Sequence, residues 1–271
     1  MLEIITEGIK VSVPIMVAAF GGLFGELAGV LNIALEGQIL IASLFSVYTA
    51  HITHNLIWGL IGGIFASSLL SLVFVVFSFG FRANIFLVGL GINLLALSIS
   101  EVFSIFISGK KGSIVFHNIP HLSEIWIFSA LLLFLLTYVI VYNTRFGFHL
   151  RAVGENESAS IFSGVYPGFY RIFAIILSGV FCGISGFLIS IPLSVFVQNI
   201  SGGRGWLAII AIFIGGRKPV GVFIASLLIG IVFTFSHFIQ IMKGIDPEIT
   251  MTFPYIASLL FLIFYKRRSN S

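Results

Sequence analysis

Charge is what this sequence has least of. Of its 271 residues only 9% are Asp, Glu, Lys or Arg while 58% are hydrophobic, and a water-soluble domain cannot cover its surface with so few charges. Mean hydropathy is +1.14, which makes the chain a polytopic membrane protein. Cysteine is almost missing as well. Cys182 stands alone inside an apolar run, which excludes an intrachain disulfide. No G-x-x-x-x-G-K-[ST] occurs anywhere, so no phosphate cradle and no nucleotide hydrolysis are expected of this chain. Ser201-Gly202-Gly203 is a superficial likeness to an ATPase signature peptide and supplies no such cradle. Cationic residues are absent before Lys10, whereas Glu3 and Glu7 precede it, so no cleaved leader is expected. The net charge of +4 comes from basic residues scattered at the ends of apolar runs, where membrane topology uses them, and nucleic-acid binding is not expected.

What is present is a series of apolar runs. A spanning helix needs ~20 such residues. By that measure about nine membrane segments are expected, near 12–30, 34–50, 56–79, 84–107, 125–142, 171–191, 204–216, 219–238 and 250–265. The runs are too uniformly apolar for barrel strands, which alternate polar and apolar residues. The expected class is all-α. Lysine and arginine asymmetry sets orientation. With the C-terminus inside, the cytoplasmic side receives Arg82, Arg145, Arg151, Arg171, Arg217, Lys218 and Lys266-Arg267-Arg268, and the outside receives Lys10, Lys110, Lys111, Arg204 and Lys243. The expectation is therefore N-terminus out and C-terminus in, with no soluble domain at either end.

Two stretches break the hydrocarbon pattern. Gly21 to Gln38 places Glu26, Asn32, Glu36, Gly37 and Gln38 within or beside the first two spans. Ionisable groups at membrane depth usually face a bundle interior or a wet cavity, and unwound backbone there needs protein or water to satisfy it. A second reading leaves Glu26 and Glu36 at the interface around a turn near Gly29 to Asn32. Ser201 to Gly221 has an apolar middle of about thirteen residues between glycine pairs, too short to span unaided, and reads as a half-helix. Short, glycine-interrupted segments in both halves suit a transporter with discontinuous helices, or simple tight packing through small residues. Asn93 in the fourth span is a candidate pathway residue or an interhelical hydrogen bonder, and Glu101 lies near that span's outer end. His51 and His54 are a weak metal pair. Gly183-Ile184-Ser185-Gly186 matches the short G-x-S-G of intramembrane serine proteases, with His237 as the candidate base and small-residue packing as the alternative.

The longest polar interruption runs from Tyr142 to Arg171 and carries Arg145, Arg151, Arg171, His149, Glu155 and Glu157. Gly154 gives a turn, Asn156 can cap a helix beginning after it, and Glu157 adds negative charge to that helix's first turn. Pro167 and Gly168 are expected to end it before the sixth span. The alternative is a solvated loop whose arginines only fix topology.

These residues carry a resemblance. GVLNIALEGQILIAS from Gly29 to Ser43, TRFGFHLRAVGENESASIFSGV from Thr144 to Val165 and GWLAIIAIFIGGRKPVG from Gly205 to Gly221 together resemble the permease subunits of bacterial ABC importers for nucleosides and simple sugars. The N-I-x-x-E-G-Q form is similar to the nucleoside branch whose binding lipoproteins are of the basic-membrane-protein type. The I-D-L-S-V-G-S-like and N-L-A-H-G-E-like segments of ribose-type and branched-chain amino-acid permeases do not occur here.

The resemblance implies one permease domain over 1–271, in the bacterial cytoplasmic (inner) membrane, with a cytoplasmic coupling loop at about 143–170 that docks on an ATPase. Matching positions are Arg151, Ala152, Gly154, Asn156, Ala159 and Gly164, within a segment that includes Arg145, Gly147 and Glu155. Ser158-Ala159-Ser160 stands where small alanines are more usual. The implied partners are a cytoplasmic ABC ATPase carrying the ATP, a second permease subunit, identical or related, and an external solute-binding lipoprotein. No cofactor of its own is expected. Glu26, Asn32, Glu36, Gly37, Gln38 and Asn93 would line the translocation path. An ion-coupled secondary transporter of small polar solutes is the alternative.

Overall fold

The computed structural model describes residues 2–109, 113–116, 119, 120, 122, 124–243 and 256. Helices α1 (Leu2–Leu27), α2 (Leu35–Thr53), α3 (Leu56–Val75) and α4 (Ile85–Ser108) form the first half. Then come α5 (Phe128–Asn143), α6 (Arg145–Glu155), α7 (Glu157–Phe162), α8 (Pro167–Leu193), α9 (Arg204–Ile214) and α10 (Pro219–Lys243). A short antiparallel ribbon pairs β1 (Ile114–Val115) with β2 (Val195–Phe196), Ile114 opposite Phe196.

Local sequence explains where these helices start. Asn55 accepts from the Ile57 amide at 2.8 Å to open α3, and Asn84 accepts from the Phe86 amide at 2.9 Å to open α4, each satisfying a donor that has no partner inside its helix. Pro167 opens α8 at a position where its missing N–H costs nothing.

Five helices are long and apolar enough to cross a membrane, Ile5–Leu27, Leu56–Gly80, Ile85–Ile107, Pro167–Leu193 and Pro219–Gln240. A sixth is counted if α5 and α6, bent by 71° at their junction, act as one span. The molecule is therefore an all-helical, multi-pass membrane protein among its described residues. The second expected span exists as α2, 19 residues long, but Glu36, Gln38 and its serines keep its hydropathy below that of the five. The seventh is the 11-residue α9, about 16 Å long at ~1.5 Å per residue and so about half of a bilayer core. The ninth, 250–265, lies outside the described residues except for Ile256.

α1 and α8 form the centre. In α1, 83% of the spanning window is buried, against 28% in α4, so α4 presents most of its surface outward and α1 almost none. α1 packs on α8, α9, α10 and α5, and α8 also packs on α2 and α3. Lipid is as apolar as leucine, so close approach and interhelical hydrogen bonds hold such a bundle rather than water exclusion. Serines supply these bonds. Ser67 donates to the Gly179 carbonyl at 2.8 Å, Ser43 to the Gly186 carbonyl at 3.2 Å, and Ser185 to the Pro14 carbonyl at 2.7 Å. Ring contacts of Phe134 with Phe20 (6.1 Å) and Phe223 (5.0 Å) fasten α5 to α1 and α10.

Candidate functional site

The site is built around the broken backbone between α1 and α2. α1 ends on Gly29, whose φ of +77° favours a residue without Cβ. The Val30 amide then reaches back to the Gly25 carbonyl at 2.9 Å, a bond that satisfies one of the helix's terminal carbonyls. The chain re-enters the bundle through Asn32, whose Oδ1 accepts from the Ala34 amide at 3.0 Å. Its amide nitrogen donates to Gln38 Oε1 at 3.1 Å and to Ser178 Oγ at 2.8 Å, and Gln38 Nε2 donates to Ser71 Oγ at 3.0 Å. Asn32 and Gln38 are 1% and 0% exposed. They tie the break and α2 to α8 and α3.

α2 has no N-cap side chain of its own, and α4 provides one. Asn93 Oδ1 accepts from the Gly37 amide at 2.8 Å while its Nδ2 donates to the Ile33 carbonyl at 3.0 Å. The interhelical role weighed for Asn93 from sequence is thus present in the structure, and the residue also lines the cavity.

Glu36 makes the most consequential contact. Its Oε1 accepts from the Gly203 amide at 2.8 Å and its Oε2 from the Gly205 amide at 2.7 Å. Those amides belong to the start of α9, where Gly203 offers no cap, so the carboxylate satisfies orphan donors and sits at the positive end of the helix dipole. Gly205 lies against the Glu36 backbone with no room for a Cβ. The clasp joins the two glycine-rich breaks that sequence placed in opposite halves of the chain.

Beside this clasp lies a cavity of about 790 Å³. Glu36, Gly37 and Asn93 line it with Leu40, Leu90 and Leu94, and with Gln198, Asn199, Trp206 and Phe233. Gln198, Asn199 and Trp206 were not singled out from sequence. Two amides and a tryptophan flanking Ser201-Gly202-Gly203 were the available signal, since polar and aromatic groups next to a broken membrane helix point into whatever the break encloses.

Glu26 is elsewhere. Its carboxylate pairs with Arg217 at 2.8 Å, and both line a second cavity of about 330 Å³ with Arg151, Gly154, Glu155 and Lys218. Glu26 therefore sits at the α6 end of the bundle.

The long polar interruption folds as α6 and α7. Thr144 accepts from the Gly147 amide at 3.1 Å to cap α6, and Asn156 from the Ala159 amide at 3.0 Å to cap α7. The turn expected at Gly154 is instead the last turn of α6, whose Ala152 carbonyl takes the Asn156 amide at 3.0 Å. Gly164, φ +78°, ends α7, so Pro167 and Gly168 do not terminate it as expected but begin α8. Gly147, Leu150 and Val153 are buried along one face of α6. Gly147 packs on the Ile140 and Val141 carbonyls, and Gly154 on the Leu27 carbonyl and the Gly29 amide, with no space for a Cβ at either. Arg171 pairs in fork fashion with Glu157 at 3.1 and 2.9 Å, and its Nε reaches the Ala28 carbonyl at 3.4 Å. Arg151 lies over the Tyr142 ring at 5.1 Å, while Arg145 and Glu155 are exposed. Phe148, Ile161, Phe162 and Tyr166 stay 56–92% exposed, an apolar surface on an otherwise polar element.

Chemistry of the chain's own is not supported by these contacts. Ser185 is fully buried in α8 and donates to Pro14, and the His237 ring packs on Phe233 at 4.9 Å. Small-residue packing accounts for the G-x-S-G, so the protease reading falls. His51 stacks on Phe116 at 5.3 Å, and no cluster of three or more His, Cys, Asp or Glu able to hold a metal occurs among the described residues.

Apolar helices long enough to cross a membrane, with a cavity bordered by a short, clasped apolar helix, define a multi-pass membrane protein. Residues 4–264 match the family described as branched-chain amino acid transport system / permease component, and the chain belongs to that family. It is a transport component and not an enzyme. It is 27% identical to the nucleoside ABC transporter permease protein NupC of Lactococcus lactis subsp. cremoris (strain MG1363), over 97% of this chain and 92% of that one. It is 26% identical to the guanosine ABC transporter permease protein NupQ of Bacillus subtilis (strain 168), over 95% and 90%. A putative glucose ABC transporter permease protein of Haloferax volcanii, TsgC13, is 24% identical over 97% and 91%. Among solved structures, PsaBC from Streptococcus pneumoniae in complex with Fab superposes with a TM-score of 0.56 at 15% identity, over 96% of this chain and 89% of that one, a likeness of fold.

Proposed function

We propose that this chain is the membrane permease subunit of an ATP-driven importer of nucleosides or related sugars in the bacterial cytoplasmic (inner) membrane. In this reading it has nine membrane segments, the N-terminus outside and the C-terminus inside, and it pairs with a second, identical or related permease. ATP is bound by a cytoplasmic ATPase under the pair, and an external solute-binding lipoprotein delivers the solute. The observation that carries the reading is the seat of α6 on α1, where Gly154 touches the Leu27–Gly29 turn while Phe148, Ile161 and Phe162 point away, exposed. An ATPase gripping those side chains would pull on the turn that leads directly into Asn32 and Glu36. Closure of the ATPase pair would then move the break and the clasped α9 between two arrangements, since ligand-driven changes of this kind select between packed states. The nucleoside assignment is supported by the names of the relatives and by the N-I-x-x-E-G-Q segment, here Asn32 to Gln38.

The test is reconstitution into vesicles with and without the ATPase and the binding protein. ATP-dependent nucleoside uptake that needs all components is expected. Uptake on an ion gradient without the ATPase would establish the secondary-transporter alternative and refute this one.

A further inference from the structure

Two groups on the wall of the larger cavity are not used by the fold. Gln198 and Trp206 both line it and both are exposed there, and among the described residues neither the Gln198 amide nor the indole N–H has a hydrogen-bond partner. The side chain of the neighbouring Asn199 has only a long 3.5 Å contact from Ser201 Oγ. The other polar groups of the wall are engaged, Asn93 on α2 and Glu36 on α9. The apolar part of the lining includes Leu40, Leu90, Leu94 and Phe233.

We infer that this cavity receives the base of an unphosphorylated nucleoside, stacked on the Trp206 indole with its polar edge hydrogen-bonded by Gln198 and Asn199. A base is flat and apolar on its faces and carries donors and acceptors on its rim. An aromatic plate beside free amides in a leucine-lined wall matches that distribution, and stacking on aromatic side chains is tolerant of which base is present. A volume of about 790 Å³ lies within the ~300–1,000 Å³ of small-molecule pockets. Glu36 is the one formally charged residue of the lining. Its carboxylate repels a phosphate group at short range, so the cavity discriminates against nucleotides. α9 holds Trp206 one residue beyond Gly205, so the Glu36 clasp fixes where the indole stands.

This assignment rests on the importer reading above, and two measurements separate them. Replacing Trp58 and Trp126 by Phe leaves Trp206 as the reporter among the protein's 3 tryptophans. In the purified complex, guanosine is expected to quench Trp206 emission saturably, ribose not to, and guanosine 5′-monophosphate to do so at least ~10-fold more weakly. In vesicles, Trp206→Leu is expected to slow guanosine uptake roughly 5- to 100-fold, the range set by base stacking. Trp206→Phe should stay within about 3-fold because it keeps an aromatic face, and ATP hydrolysis stimulated by the binding protein should persist in both. Absent quenching, equal quenching by ribose, or equal losses in the Phe and Leu variants would overturn the stacking site. Saturable quenching in a complex without ATP-driven uptake would keep the stacking site and sink the importer reading. Normal uptake with Trp206→Leu does the reverse.

Discussion

The Glu36 clasp gives the sharpest prediction. Two backbone donors converge on one carboxylate at 2.8 and 2.7 Å, at a helix start that has no cap of its own. A hydrogen bond to a charged group contributes about 1.5–3 kcal/mol. Glu36→Gln keeps the shape and one oxygen but turns an NH2 toward the second amide, so one bond is lost and two donors face each other. The expected cost at the α9 start is ~1.5–3 kcal/mol. With about 1.4 kcal/mol per tenfold, local opening becomes roughly 10- to 100-fold more frequent. Hydrogen exchange reads this directly, because amides exchange through such openings. The peptide carrying Gly203 to Leu207 should exchange faster by that factor, while a peptide from the middle of α8 should not change. Glu36→Ala removes both bonds and should roughly double the free-energy effect. Uptake should slow in both variants, since α9 no longer holds its place beside the cavity. Unchanged exchange at Gly203 and Gly205 together with unchanged uptake would refute the clasp and return Glu36 to an incidental position.

Gly154→Val places side-chain carbon where the Leu27 carbonyl stands. Uptake should be abolished and ATP hydrolysis should lose its response to the binding protein, with the permease still inserted; a transporting Gly154→Val variant would remove α6 from the coupling route. Asn93→Leu leaves the Gly37 amide and the Ile33 carbonyl unpaired in a buried setting, at about 1–3 kcal/mol for each group. Thermal denaturation in detergent should show a markedly lower midpoint for this variant, and an unchanged midpoint would mean that α2 is capped some other way.

Which features were legible in advance follows from their range along the chain. The helical class came from runs of apolar residues, and the start of α7 from Asn156, because that cap and its amide lie three residues apart; the caps at Asn55 and Asn84 were not singled out from sequence. The end of α7 was misplaced because Pro167 reads equally well as a stop or as a first helical residue, and Gly164 had already closed the turn. Glu26 and Glu36 look alike in sequence, ten residues apart in one polar break. Their partners separate them, Arg217 at the α6 end and the amides of Gly203 and Gly205 beside the cavity.

The sequence by itself determined that the chain lives in a membrane, that it is helical, that both halves contain a glycine-rich break and that a capped polar segment interrupts it. Each of these depends on composition or on neighbours within a few positions. Only the tertiary structure decided that the two breaks meet through Glu36, that Asn32 and Gln38 are spent between helices, and that Trp206 and Gln198 share a cavity wall with Asn93. Those facts depend on contacts between residues more than a hundred positions apart, such as Glu36 with Gly203 and Asn32 with Ser178. Periodicity and spacing carry no record of which distant donor a side chain will meet; the packing of α8 and α9 against α2 settles it.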